Sequence, residues 1–248
     1  MSMMRTANPA LNANTFKDAS SISQGEAMTL QGTVNKTGIL LLILVAASFW
    51  TWMQIQVNSA SVLPLILVGS IAGFIVGLVT VFKKSWAPVT APIYAALEGL
   101  ALGGISAAFE SQYPGIVIQA VGLTFGTLAA LLLAYTSRLI SVTENFKLGV
   151  VAATGGICIL YLVDLVMVFF GHSIPMIHES GPWGIVFSII VVIVAALNLV
   201  LDFDFIEKGS QTNQPKYMEW YAGFGLIVTL VWLYMEILRL LAKTRRRR

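Results

Sequence analysis

Apolar residues in this chain come in long runs rather than in alternating or helical stripes. After a polar opening, seven such runs follow, at 38–55, 62–82, 89–109, 115–136, 148–170, 183–203 and 221–242. Each is close to the length of about 20 residues that a helix needs to cross the hydrocarbon of a bilayer. No run carries the strict alternation of a half-buried strand. The pattern predicts an all-α protein, a polytopic membrane helical bundle of seven transmembrane helices joined by short connections. Residues 1–37 are rich in Asn, Ser, Thr and Gln. They are expected to form a polar, mobile N-terminal tail, with Met28, Leu30 and Val34 able to touch the membrane surface. Residues 38–242 form the transmembrane domain, and residues 243–248 a basic C-terminal tail.

Composition agrees. Hydrophobic residues make up 57% of the chain and charged ones 11%, against about 25% charged in soluble domains. The net charge of +3 is exceeded by the four arginines Arg245 to Arg248 alone. Next to a membrane span, such a cluster is read as meeting lipid head groups or setting topology, not as binding nucleic acid. The single cysteine, Cys158, excludes an intramolecular disulfide and a CxxC metal site. No cofactor is implied.

Lysine and arginine positions set the expected orientation. The N-terminal tail has Arg5, Lys17 and Lys36, the second connection Lys83 and Lys84, the fourth Arg138 and Lys147, and the sixth Lys208 and Lys216. The other connections have none, so the N-terminus is expected in the cytoplasm. Seven crossings then put the C-terminal arginines outside, against the same rule. The last helix spans regardless, or one of the final segments enters and returns. Helix contacts are expected at Gly69, Gly73 and Gly77, at Gly99 and Gly103, and at Gly122 and Gly126, where spacings of four allow close backbone approach.

The chemistry of interest lies in acids within apolar runs: Glu98, Asp164, Asp202 and Glu236. A charge at the centre of a membrane helix costs about 2.5–3.5 kcal/mol on insertion scales. Asn198 precedes Asp202 by four residues and shares its helix face. Asp204 lies about 200° around the helix from Asp202 and pairs by spacing with Lys208. Asp202 is therefore read as the inward carboxylate and Asp204 as interfacial. Glu236 is read as a local ion pair with Arg239, and Asp164 as a hydrogen-bond partner of Tyr161. Glu98 falls roughly 13 Å into its span at 1.5 Å per residue, in the same half of the membrane as Asp202. Two acids at one level share a proton and offer hard oxygen ligands suited to calcium. Asp202 and Glu98 are thus a candidate transient calcium site.

Other chemistries fit less well. Gly104-Ile105-Ser106 has the start of a serine-protease motif, but the two histidines, His172 and His178, lie in a connection and not in a neighbouring span. No lysine lies inside spans five to seven to carry a retinal Schiff base. The chain is not read as an enzyme.

Taken in order, MTLQGTVNKTGILL at 28–41, IYAALEGLALGGIS at 93–106, LDFDFIEKG ending span six and ILRLLA ending span seven resemble the Bax inhibitor family, its bacterial YccA-like branch in particular. The resemblance covers residues 28 to about 242. It implies six helices wrapped around the last, a bacterial plasma membrane, and a pH-sensitive calcium leak gated by an aspartate pair. One family aspartate ends the sixth helix in a D-x-x-x-I pattern, which Asp202 and Ile206 match. The other lies in the last helix about ten residues before an arginine. Counting back from Arg239 reaches Thr229, which is not an acid. Glu98, Glu219 or Asp164 are the candidate substitutes, and Lys83 and Lys84 align near a basic latch partner. The partners implied are the lipid bilayer, calcium ions and protons. The alternative is an interaction protein regulating a membrane protease or a stress or cell-death partner.

Overall fold

The computed structural model describes residues 27–57 and 62–246. Of the polar tail expected over residues 1–37, residues 1–26 lie outside the described residues, as do Arg247 and Arg248 of the basic tail. Among the described residues, eight α-helices are present: α1 (Leu30–Val57), α2 (Val62–Phe82), α3 (Ala87–Gln112), α4 (Ile116–Thr136), α5 (Glu144–Phe169), the short α6 (Pro175–His178), α7 (Pro182–Gln211) and α8 (Met218–Arg246). A 3-10 turn over Lys84–Trp86 leads into α3. Among the described residues, all but α6 are long and apolar enough to cross a bilayer. Only closed backbone hydrogen bonding survives in hydrocarbon, which is why the apolar runs are helices.

The last helix is the axis. α8 packs against α1, α3, α4 and α7. One side of it, through Phe224 and Ile227, joins Leu40, Leu44 and Tyr94 in an apolar core. The other, through Leu230, Leu233 and Ile237, joins Ile116, Ala120 and Leu199. Tyr94 meets Phe224 edge to face at 4.8 Å between ring centroids. α2 sits at the periphery, mainly against α3, and α5 mainly against α7.

Helix ends depart most from the apolar pattern. α1 begins at Leu30, eight residues before the predicted span. Its first turns are polar but held. The Thr29 hydroxyl accepts from the Gly32 amide at 2.9 Å, and the Thr33 and Thr37 hydroxyls donate back to helix carbonyls. Lys36 stands over the Trp220 ring at 5.0 Å, a cation–π contact. The Met28 amide donates to the Gln214 carbonyl at 2.6 Å, tying the approach to α1 to the α7–α8 connection. α7 and α8 likewise extend beyond the predicted runs, to Gln211 and from Met218.

The glycine expectations divide. Gly69 packs on α3, where a Cβ would stand 2.6 Å from the Leu97 carbonyl oxygen, and Gly73 and Gly77 face Glu98 and Tyr94. Gly99 and Gly103 lie directly against the Leu44 and Ser48 carbonyls of α1. Gly122 and Gly126 are a correction: both are exposed, and a Cβ at either would meet nothing within 4 Å. α4 turns Ile116 and Ala120 toward α7 and α8 instead, so the spacing of its glycines marks no helix contact.

Candidate intramembrane carboxylate site

α7 carries the residues singled out by sequence. Its backbone stays helical through Asn198, Asp202 and Asp204 to Gln211, so the angular argument holds in three dimensions. Asp202 is fully buried, on the helix that packs along α8. One turn earlier, buried Asn198 donates from Nδ2 to the Thr154 hydroxyl of α5 at 2.8 Å and to its own Val194 carbonyl at 2.8 Å. Asn198 Oδ1 has no hydrogen-bond partner among the described residues. The amide thus ties α7 to α5 beside the buried carboxylate.

Asp204 turns to a different environment. Its carboxylate accepts from Lys208 at 2.5 Å and lies 3.3 Å from Lys147 Nζ. Lys147 is itself buried and also pairs with Glu144 at 3.0 Å. Nearby on the same end of α7, Glu207 accepts from the Tyr135 hydroxyl of α4. This charged girdle joins α4, α5 and α7. Sequence spacing found only the Lys208 contact. Lys147 is 57 positions away, and nothing in the local pattern announces it.

Glu98 lies on another interface. It is half-buried, and its Oε2 stands 3.3 Å from where a Cβ on Gly73 of α2 would be. α3 packs on α1, α2, α8 and α4, whereas α7 packs on α8, α4, α5, α6 and α1. Both α3 and α7 pack on the central α8. Among the described residues, no group of three or more His, Cys, Asp or Glu is placed to hold a metal ion.

The remaining acids each have a distinct role. Asp164 of α5 accepts from the Ile174 amide at 2.8 Å and from His178 at 2.7 Å. It straps the α5–α7 connection down, and the expected partner Tyr161 bonds elsewhere. Tyr161 donates to Glu236 at 2.9 Å, and Arg239 reaches both Glu236 and the Tyr161 hydroxyl at 2.8 Å. The ion pair expected within α8 is present, and it recruits α5. Buried Glu219, near the start of α8, accepts from the Thr29 amide at 3.0 Å and its hydroxyl at 2.9 Å, which seats α1. Thr229 donates to the Gly225 carbonyl of its own helix. Ser106 bonds the Tyr234 hydroxyl at 2.6 Å. His172 bonds the Phe170 carbonyl.

α8 runs the length of the bundle. Lys243 donates to the Gly184 carbonyl at 3.0 Å and the Ser188 hydroxyl at 2.8 Å, at the start of α7. Arg245 donates to the Pro114 carbonyl at 2.7 Å and to Gln119 at 3.0 Å, at the α3–α4 corner. Both sites lie at the end of the bundle opposite to the pairing of Met28 with Gln214. Buried Lys243 and tethered Arg245 are thus engaged by the protein.

Among the described residues, seven bilayer-length apolar helices, the last of them central and with carboxylates set among them, define a multi-pass membrane protein. Residues 8–246 match the Bax inhibitor 1 like family, and the chain belongs to that family. No curated protein matches it.

Proposed function

We propose that the protein is a pH-sensitive calcium leak in which the charge on Asp202 is the switch. The observation that carries this reading is a fully buried carboxylate on α7, beside the central helix and one turn from the Asn198 link to α5. A charged carboxylate in a low-dielectric interior pays heavily for lost hydration. The charged state therefore favours water and a cation at its side and loosens the α7 packing. The neutral state packs without them and closes the path. Hard carboxylate and amide oxygens favour calcium as the permeant ion. Proton uptake closes the leak and proton loss opens it. The Lys and Arg alternation favours a cytoplasmic N-terminal face, and the resemblance favours a bacterial plasma membrane.

The test is calcium entry into liposomes holding purified protein, measured over about pH 6 to 8, a range that spans neutral pH between the ordinary carboxyl and amine values. Wild-type flux should rise with pH. Asp202→Asn fixes the neutral form and should leave flux low and flat across the range. Asp204→Asn should keep most of the response, because Asp204 belongs to the charged girdle. Wild-type pH dependence in Asp202→Asn would refute the switch. It would favour the alternative of a non-enzymatic protein acting through a membrane partner.

A further inference from the structure

A cavity of about 490 Å³ lies between α1, α3, α4 and α8, away from Asp202. Its size falls within the range of about 300–1,000 Å³ that holds small ligands. α1 and α4 each pack on α3 and α8, but they are not main neighbours of each other. The cavity therefore opens sideways between them, toward the bilayer. Val45, Phe49 and Phe125 on its edge are 50%, 63% and 40% exposed.

The lining hydroxyls are already used. Ser48 donates to Leu44 and Thr124 to Ala120, each a carbonyl of its own helix, and Ser106 and Tyr234 bond each other. A sugar or peptide would leave its own polar groups unpaired there, at a desolvation cost. A hydrocarbon chain would not. The lining also reaches the first turn of α4 at Val117, two residues before Gln119, which holds Arg245. Arg245 spends donors on Pro114 and Gln119. It makes no ion pair among the described residues, and its guanidinium carries five donors in all. The nearby Glu110 carboxylate accepts from the Gly115 and Val117 amides.

We propose that this groove holds one acyl chain of an anionic membrane lipid, with the headgroup at Arg245 and the chain running along α4 from Val117 toward Phe125. That stretch spans roughly 12 Å at the rise of a helix. The groove supplies the apolar walls, and the guanidinium supplies an anion contact at the head-group level.

The test uses the full chain in nanodiscs of equal phosphatidylglycerol and phosphatidylcholine, released into native mass spectrometry. Wild type should retain one lipid per chain, mostly phosphatidylglycerol. Val121→Trp fills the groove from α4 and should cut retained lipid about tenfold, the change expected for a 1.4 kcal/mol loss. Arg245→Gln should keep a lipid but lose the preference for phosphatidylglycerol. Thermal unfolding of both variants near the wild-type temperature confirms that loss of lipid is not loss of fold. The proposal is overturned if wild type retains no lipid, if Val121→Trp retains as much as wild type, or if the groove is covered by a second copy, seen as a lipid-free dimer.

Discussion

At the scale of single residues, burial and partner separate side chains that composition treats alike. Lys147 is 2% exposed by its side chain and lies between Glu144 and Asp204, while Lys208, on the same Asp204, is 33% exposed. Removing one member of a buried pair strands a charge, whereas exposed pairs contribute little. Lys147→Met should therefore destabilise by about 2 kcal/mol, reduced from the full cost of a broken buried pair because Lys208 still serves Asp204. Lys208→Met should cost under about 1 kcal/mol. Thermal unfolding in detergent ranks the two, and equal losses would deny Lys147 a special place. Glu219 makes a similar case. Its carboxylate occupies the space where a Gly32 side chain would begin. Glu219→Ala removes two bonds to Thr29 and should cost about 2 kcal/mol. Faster amide exchange should be confined to the first turns of α1.

At the scale of elements, the glycines give the sharpest contrast. A methyl group at Gly99 or Gly103 would collide with α1 backbone carbonyls, which cannot rotate aside. Gly99→Ala and Gly103→Ala should each cost at least about 2 kcal/mol through overpacking. Gly122→Ala and Gly126→Ala point into open space and should be neutral or slightly stabilising, since Ala is the better helix former. Folded yield by size-exclusion chromatography should fall for the first pair only. Loss of yield in the α4 pair would mean that α4 packs against something on its outer face. The same four-residue spacing thus has opposite consequences on α3 and α4, and only the neighbouring helix decides which.

For the whole molecule, the central α8 fixes where the ends go. α1 starts beside the α7–α8 connection, and α8 finishes beside the α3–α4 corner and the start of α7. In a Cys158→Ala background, Lys84→Cys and Thr244→Cys should react with an impermeant thiol reagent from opposite sides of the membrane. Reaction from one side would show that α8 does not cross. The conflict with the positive-inside pattern is local. Lys243 is buried and Arg245 is bonded to the α3–α4 corner.

The sequence by itself determined the all-helical class, the number of spans and the membrane location. These follow from one local quantity, the length of each apolar run against the thickness of hydrocarbon. It also determined that Asp202 and Asp204 face apart, because helix geometry alone sets that angle. Tertiary structure decided the helix ends, since the polar turns of α1 are helical only where Glu219, Trp220 and Gln214 receive them. It decided that Gly99 touches a neighbour and Gly122 does not. It set Glu98 against Gly73 of α2 and gave Glu236 its partner Tyr161 from 75 residues away. Run length and helical angle are properties of neighbouring residues. Which helix lies across an interface depends on how the other spans fill space together around α8, and no single stretch of the chain contains that information.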